Sequence, residues 1–310
     1  MTEQTLVFDW NGLTLVGTLH LPDGEGFHPV VVMIQGSGPS DRTGNGYFPP
    51  IRDAFLTHGI GTYAFDKPGC GESTGDWRDY ALEARADQVV SAMNAVRHLP
   101  AVVEDLIGVW GQSQGGWVVQ MLASRLDNLA FAIANSGPSI NLPDQDLYNC
   151  EHSMRAAGSS EADIELALAF VTNVHRAARD GLPYETVDAE LLAAARRQPW
   201  YGHMSIEDDA DWRLICQFVT EGYEPLDALR RIRTPYLAIY GGRDVLLPPW
   251  QNAMETGEAL QQAESSDATV AVFPEGNHRL QDMPSGRLVT GYLDLLADWT
   301  ASRIASHPRP

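Results

Sequence analysis

The amino-acid sequence predicts an α/β fold that is built on an open, mostly parallel sheet. Apolar runs bounded by Gly and Pro recur along the chain, and continuous runs of this kind suit strands that are buried on both faces. Amphipathic helical patterns separate these runs, as the crossover connections between parallel strands require. Near the N-terminus, apolar and polar residues instead alternate, which indicates that the sheet begins with antiparallel strands.

The elements follow in order from these patterns. Residues 5–9 and 13–21 alternate around Asn11-Gly12, a dipeptide that tolerates positive φ in a tight hairpin turn. Six further strands are predicted at 30–34, 62–65, 106–110, 129–134, 236–240 and 269–273. Helices are predicted at 80–98, 114–126, 250–263 and 286–304. Strand and helix therefore alternate on both sides of one long gap.

That gap extends from about residue 141 to residue 232, where no run resembles a strand. Two serine-led segments, 160–163 and 205–208, each precede an apolar helical stripe, which predicts two helices. We therefore divide the chain into an α/β core of residues 1–140 and 233–310 and a helical insertion of residues 141–232, and we expect the insertion to form a lid, or cap.

Composition narrows the function classes. A chain of 310 residues with 44% hydrophobic residues can bury a large core. With a formal net charge of -20, the protein would be repelled by nucleic acid and by anionic membranes. Three scattered cysteines suggest neither a disulfide framework nor a metal site. No basic start precedes an apolar stretch, and no segment reaches the ~18 apolar residues of a membrane span. We expect a cytoplasmic protein with no nucleic-acid or membrane partner; no pattern predicts an oligomeric state.

The segment Gly111-Gln112-Ser113-Gln114-Gly115 follows a predicted strand and precedes a predicted helix. This is the G-x-S-x-G pattern in its proper context, a sharp strand-to-helix turn that projects a serine above the sheet. The helix N-terminus adds favourable electrostatics for an oxyanion. The alternative is a turn with no chemical role, and the flanking strand and helix argue against it. Ser113 is therefore the candidate nucleophile.

A serine hydroxyl needs a base and a third group that orients the base. Asp244 directly follows the strand at 236–240, and His278 lies in a glycine-flanked loop after the strand at 269–273. The order Ser, Asp, His agrees with the order used by this motif. Asp144 and Asp146 are weaker candidates for the acid because they stand farther beyond a strand end. The other histidines lie at strand ends, on the surface or in the insertion.

An oxyanion hole requires two backbone N–H groups that point at the developing negative charge. Gln114, the residue after the nucleophile, is expected to supply one. The glycine-rich loop 35–39 is expected to supply the other, from Ser37. This loop could alternatively form a nest for phosphate, but no G-x-x-x-x-G-K motif accompanies it.

Two further patterns are interpreted without a catalytic role. The segment 69–75 superficially resembles a dinucleotide fingerprint, but its third glycine is one residue late and no clean helix follows, so we expect a connecting loop. Acidic residues cluster in the insertion at Glu207, Asp208, Asp209 and Asp211. Carboxylates are favoured at a helix start, and capture of a cationic substrate group is the alternative interpretation.

These motifs together resemble the α/β-hydrolase superfamily, and within it the capped esterases and the serine aminopeptidase-like hydrolases (S33-type). The resemblance rests on residues 36–42, 65–73, 111–115, 241–244 and 276–278 and leaves the insertion unmatched. It implies an eight-stranded, mostly parallel sheet, a triad of Ser113, Asp244 and His278, a helical cap between the sixth and seventh strands, and no cofactor. The chain departs from this family at Gln35, where relatives usually carry His, and at Pro68, where many carry Arg.

The leading functional hypothesis is hydrolysis of a carboxylic ester of a small to medium-sized, largely apolar substrate through an acyl-serine intermediate. Alternatives are an amide or aminopeptidase-type hydrolase and a catalytically silent ligand receptor; an aspartate-dependent dehalogenase is disfavoured because Ser113 occupies the nucleophile position. The substrate pocket is expected to include Gly36, beside the nucleophile. Aromatic residues of the insertion could line it, although we expect most of them to form its core: Tyr148, Trp200, Tyr201, Trp212 and Tyr223.

Overall fold

Eight strands form one sheet in the computed structural model, which describes residues 1–24, 26–204, 206–265 and 267–306. In chain order they are β1 Thr2–Trp10, β2 Leu13–Leu21, β3 His28–Ile34, β4 Gly61–Phe65, β5 Val102–Gln112, β6 Ala132–Asn135, β7 Tyr236–Gly241 and β8 Ala268–Phe273. Their spatial order is β1-β2-β4-β3-β5-β6-β7-β8. The pairs β1–β2 and β2–β4 are antiparallel, and every other neighbouring pair is parallel. This arrangement confirms the predicted fold class.

The N-terminal hairpin forms as predicted. Asn11 and Gly12 adopt φ values of 49° and 79°, so both central residues of the turn lie in the left-handed region that a tight hairpin requires. The turn sets the register, because Trp10 pairs with Leu13 and the pairing continues to Thr2 opposite Leu21.

Helices cover both faces of the sheet. The helices of the described residues are α1 Pro49–Thr57, α2 Leu82–Arg97, α3 Gln114–Arg125, α4 Leu142–Ala156, α5 Glu161–Arg179, α6 Tyr184–Val187, α7 Ala193–Ala195, α8 Asp209–Glu221, α9 Pro225–Leu229, α10 Pro249–Leu260 and α11 Tyr292–Ser306. Helices α2, α3, α9 and α10 pack on one face, and α1 and α11 pack on the other. Along β3, alternate residues therefore enter different hydrophobic clusters, which explains the unbroken apolar run.

Some element boundaries differ from the predicted ones. Helix α1 was not anticipated, because its apolar stripe is short, with Ile51 and Phe55 as its buried members. The last helix begins at Tyr292 rather than at 286, since isolated bridges pair Gly276 with Asp282 and Gln281 with Leu288 just before it. These bridges hold the preceding chain in a loop that helical periodicity alone does not reveal.

The chain between β6 and β7 is helical, as expected. Ser160 caps α5 by accepting a hydrogen bond from the N–H of Asp163 at 3.2 Å. The second predicted start is wrong by three residues: α8 is capped by Asp208, which accepts from the N–H of Asp211, and Ser205 lies outside the described residues. Helix α4 was not predicted. These helices share a hydrophobic cluster separate from the two that flank the sheet.

Candidate active site

Ser113 occupies the turn between β5 and α3. Its φ of 56° and ψ of −120° are unusual for a residue with a side chain and cost about 1–3 kcal/mol, which the surrounding packing must offset. A Cβ on Gly115 would lie 2.5 Å from the carbonyl oxygen of Ile34, and one on Gly111 would collide with the carbonyl of Gly115. The two glycines therefore allow α3 to pass close enough to β5 and β3 for the turn to form.

Asp244 and His278 are directly paired. His278 Nδ1 donates to Asp244 Oδ2 at 2.6 Å, which leaves Nε2 of the imidazole as the acceptor. The other carboxylate oxygen accepts from the backbone N–H groups of Leu246 at 2.8 Å and Leu247 at 3.3 Å. The Asp244 side chain is fully buried, and the His278 side chain is 13% exposed. The aspartate is thus held rigidly and in turn fixes the tautomer and orientation of the imidazole.

The three predicted triad residues lie at one edge of the sheet. Ser113 follows β5, Asp244 follows β7 and His278 follows β8, and the carboxyl ends of these parallel strands face the same way. The Ser113 N–H donates to the carbonyl of Asn135 at the end of β6, the strand between β5 and β7. This bond ties the turn to the sheet. Within the described residues, the Ser113 hydroxyl makes no hydrogen bond to His278. The structure therefore pairs the candidate acid with the candidate base.

The loop after β3 lies against the nucleophile. A Cβ on Gly36 would stand 3.3 Å from the Cβ of Ser113 and 2.7 Å from Gln112 Oε1, so the loop passes close to the nucleophile at a residue without a side chain. Gln35 Nε2 donates to the carbonyls of Phe65 at 2.5 Å and Asp41 at 3.1 Å. The amide of Gln35 thus braces the loop.

The departure at Pro68 leaves a local ion-pair network in place. The buried carboxylate of Asp66 pairs with Arg42 at 2.6 Å and also accepts from the backbone N–H of Glu72 at 2.9 Å. The Glu72 carboxylate adds a second ion pair to Arg42 at 3.2 Å. Arg42 therefore ties the loop after β3 to the loop after β4 without an arginine at position 68.

Two buried cations contact this loop, and sequence reasoning missed both. Lys67 Nζ donates to the carbonyl oxygens of Gly36 at 2.5 Å and Gly38 at 2.6 Å. Arg85 Nη2 donates to the carbonyl of Gln35 at 2.5 Å, and its Nη1 bonds to the side-chain oxygen of Gln114. Burial lowers the pKa of Arg85 to about 10, and burial together with the charge of Arg85 lowers the pKa of Lys67 well below its usual value. A signal was available, because Lys67 is the only lysine in the chain.

A cavity of about 450 Å³ extends from this edge into the inserted helices. Ser37, Gly38 and Gln114 line its inner end, next to Ser113, although Ser113 and His278 are not themselves lining residues. The other lining residues are mostly apolar. The polar ones among them are Asp146, Asn149, Ser153, His175 and Asp211. Within the cavity wall, His175 Nε2 donates to Asp146 Oδ2 at 3.0 Å.

The aromatic residues considered for the pocket do not line this cavity. Trp200 and Tyr201 pack on Phe170, and the Trp212 indole donates to the carbonyl of Leu182 at 2.9 Å. These contacts place them in the packing of the inserted helices. The aromatic rings that do line the cavity are those of Trp77, Phe170 and Phe218.

The other two aromatic residues considered for the pocket have partners that do not line the cavity. Tyr148 stacks on His152 with ring centroids 3.7 Å apart. Tyr223 donates to Gln120 Oε1 at 3.1 Å, which attaches the end of the inserted segment to α3 of the core. Both rings therefore pack against these partners, whereas Gly36 lies beside Ser113 without lining the cavity.

The acidic cluster of the insertion is paired with arginines. Arg78 forms ion pairs with Asp208 at 3.0 Å and with Asp211 at 3.5 Å, and Arg213 pairs with Asp209. Asp208 also caps α8. These contacts favour the helix-start interpretation over the capture of a cationic substrate, because Asp208, Asp209 and Asp211 are already paired with arginines.

Across the part of the chain that the structure describes, no group of three or more His, Cys, Asp or Glu side chains is arranged to hold a metal ion. The described helices include none that is both long and apolar enough to cross a membrane.

Comparisons with known proteins place the chain in a family. A model of the alpha/beta hydrolase family matches residues 31–290. An uncharacterised 31.7 kDa protein from the traX-finO intergenic region of Escherichia coli is 23% identical over 292 residues, covering 91% of this chain and 93% of that protein.

Solved structures agree with this placement at the level of the fold. A 2,6-dihydroxy-pseudo-oxynicotine hydrolase superposes with a TM-score of 0.63 at 20% identity, covering 98% of this chain and 68% of its own. An esterase from Pyrococcus furiosus superposes with the same TM-score at 14% identity, covering 98% of this chain and 90% of its own. The family match supports hydrolytic activity and does not separate the capped esterases from the serine aminopeptidase-like hydrolases. The chain belongs to the alpha/beta hydrolase family.

Proposed function

We propose that this protein is a serine hydrolase that cleaves a carboxylic ester through an acyl-serine intermediate, with Ser113 as nucleophile, His278 as base and Asp244 as orienting acid. The observation that carries the proposal is the 2.6 Å hydrogen bond between His278 and the buried Asp244, at the sheet edge where Ser113 adopts its positive φ. A turn with no chemical role would need neither the unusual backbone nor an oriented imidazole.

The reaction follows from these roles. The Ser113 oxygen attacks the ester carbonyl while His278 Nε2 takes the proton of the serine. The new C–O bond leaves a negative charge on the former carbonyl oxygen. The N–H groups of Ser37 and Gln114 stabilise that oxyanion. When the intermediate collapses, the C–O bond to the alcohol breaks and His278 returns the proton to the leaving oxygen. Water, activated by the same imidazole, then releases the acid from Ser113.

Residues 141–232 act as the cap in this proposal, because their helices supply most of the cavity walls. The apolar lining suits a small to medium-sized, largely apolar substrate. The His175–Asp146 pair lies among apolar side chains of this wall and suits a hydrogen-bonding group on the substrate, away from the ester. We therefore expect a substrate that is mainly apolar and carries one polar group distant from the bond that is cleaved.

Hydrolysis of p-nitrophenyl esters from acetate to decanoate tests the proposal. We expect turnover by the wild-type protein, loss of turnover in Ser113→Ala, and covalent labelling of Ser113 by a fluorophosphonate. The chain-length optimum measures how much of the cavity the acyl group fills.

The alternatives give different results in the same experiments. Release of amines from aminoacyl arylamides at rates above those for esters would favour the amide hydrolase. Absence of both turnover and labelling would overturn the serine mechanism and favour the silent receptor.

A further inference from the structure

We propose that Lys67 and Arg85 are positioning residues for the oxyanion hole: Lys67 holds and polarises the peptide that carries the Ser37 N–H, and Arg85 holds the neighbouring Gln35 carbonyl and the side chain of Gln114. This inference rests on the serine mechanism proposed above. It concerns residues that do not touch the substrate in that mechanism.

The placement of Lys67 argues for a specific role. The chain has 21 basic residues, of which 20 are arginine, so lysine is used once. That one side chain is buried, with a relative exposure of 5%. Among the described residues no carboxylate lies within ion-pair distance of Lys67 or of Arg85, and burial of an unpaired cation is costly. The carbonyl oxygens around the two cations are therefore what compensates for their burial.

One carbonyl that Lys67 binds belongs to the same peptide as the Ser37 N–H, which is a predicted oxyanion donor. The Gly36 carbonyl and the Ser37 N–H are two ends of one trans peptide, so they point in opposite directions. A donor fixed 2.5 Å from the Gly36 oxygen therefore also fixes the direction of the Ser37 N–H. The second bond, to the carbonyl of Gly38, holds the next part of the loop. Both bonds need only two N–H groups, so they persist even if the lowered pKa of Lys67 removes its third proton.

Arg85 completes the arrangement from the other side. It binds the carbonyl of Gln35, one peptide before the one that Lys67 holds, and also the side chain of Gln114. Gln114 is the first residue of α3, so its backbone N–H has no partner within the helix and is free to serve as the other oxyanion donor. Each predicted donor is thus adjacent to a group bound by a buried cation.

This arrangement strengthens the oxyanion hole in two ways. Donation to a peptide carbonyl polarises the peptide and makes its N–H a stronger donor. Fixed dipoles and charges in a water-excluded site also stabilise developing negative charge without reorganisation. Both effects act on the transition state, where the oxygen is charged, and hardly on the neutral ester.

The test uses Lys67→Met, which keeps the length of the side chain and removes its donors. We expect kcat to fall about 10-fold to 100-fold with KM changed less than about 2-fold, since removal of a direct oxyanion donor costs about 100-fold to 1000-fold. The affinity for an alkyl trifluoromethyl ketone, which forms a tetrahedral adduct with Ser113, should fall by the same factor as kcat. The affinity for the matching methyl ketone, which stays planar, should be unchanged.

The matched control is Arg125→Met, which removes one cation that pairs with Glu83 at the surface of the neighbouring helix. We expect its kinetics and its ratio of the two ketone affinities to equal those of the wild type. A ratio of ketone affinities that is unchanged in Lys67→Met would overturn the proposal, whether both affinities fall equally or neither falls. Such a result means that Lys67 only braces the loop.

A second measurement covers the case in which Lys67→Met does not fold. Because Lys67 is the only lysine, wild-type protein labelled with ¹³C-lysine gives one Cε resonance. We expect that resonance to shift when the trifluoromethyl ketone adduct forms and to stay in place with the methyl ketone. An unmoved resonance would overturn this inference while turnover by the wild type kept the serine mechanism intact; a wild type that neither turns over nor labels would remove both.

Discussion

The carboxyl edge of the sheet and the inserted helices are held together differently. At the edge, backbone groups link successive loops: the N–H of Gly242 donates to the carbonyl of Phe273, and that of Arg243 to the carbonyl of Gly276, both at 2.8 Å. The inserted helices instead pack around a side-chain cluster of their own, in which Met154 and Leu192 are fully buried. Backbone bonds define atomic positions that side-chain changes elsewhere hardly affect. The candidate triad therefore stands on positions defined by backbone bonds, whereas the cavity walls of the insertion depend on side-chain packing.

The contacts between the two regions include several charged side chains. Arg78, in the core, pairs with Asp208 at the start of α8, and Glu221 at the end of α8 accepts from the N–H of Leu82 at 2.9 Å. Glu221 therefore caps α2, a helix of the core.

The edge should respond most strongly to Asp244→Asn. The amide keeps the shape of the side chain but favours the wrong tautomer of His278, so we expect kcat for p-nitrophenyl esters to fall about 10,000-fold with little change in KM. Steady-state kinetics measure this, and circular dichroism checks the fold. A loss below about 10-fold would contradict the assignment of Asp244 as the orienting acid.

Tight backbone contact at the edge predicts a large stability effect for Gly115→Ala. Its Cβ would lie 2.5 Å from the carbonyl of Ile34 and 2.7 Å from that of Gln35, so we expect the free energy of unfolding to fall by at least about 2 kcal/mol. The matched control is Gly257→Ala in α10, where no atom lies within 4 Å of the new Cβ. That control should raise the free energy of unfolding by about 0.5–1 kcal/mol. Urea denaturation compares them, and equal effects would contradict the contact argument.

The insertion should control specificity instead of rate. His175→Leu removes the hydrogen bond to Asp146, so KM for esters with a polar group far from the carbonyl should rise about 10-fold, with kcat and the KM for plain alkyl esters nearly unchanged. His152→Leu is the control, because that histidine also belongs to the insertion, in α4, but stacks on Tyr148 and does not line the cavity. A fall in kcat for all esters would contradict this separation of roles.

The smallest effect is expected where charged side chains join the two regions. Arg78→Met removes the ion pairs to Asp208 and Asp211, and exposed pairs contribute about 0–1 kcal/mol. We expect the Tm to fall by a few degrees at low salt and the difference from the wild type to shrink in about 1 M salt, where charges are screened. A salt-independent loss would indicate that Arg78 acts through packing.

Local patterns were sufficient for much of the fold and for the candidate triad. A few neighbouring residues predict each of three features: the hairpin at Asn11-Gly12, the buried parallel strands, and the start of α5 at its capping residue Ser160. The positions of Asp244 and His278 followed from strand ends, because parallel strands bring their carboxyl ends to one edge. The same reasoning missed α1 and α4 and placed the start of α8 too early, since short or weakly amphipathic helices depend on what packs against them.

The strands of the sheet and the residues at their ends therefore followed from the sequence alone. Only the tertiary structure decided which groups from distant elements meet: Lys67 and Arg85 converge on the loop of Gly36, while Trp200 and Trp212 turn into the packing of the insertion. The physical reason is that periodicity reports which side of an element is buried, whereas the partner of a buried side chain depends on how separate elements pack in three dimensions.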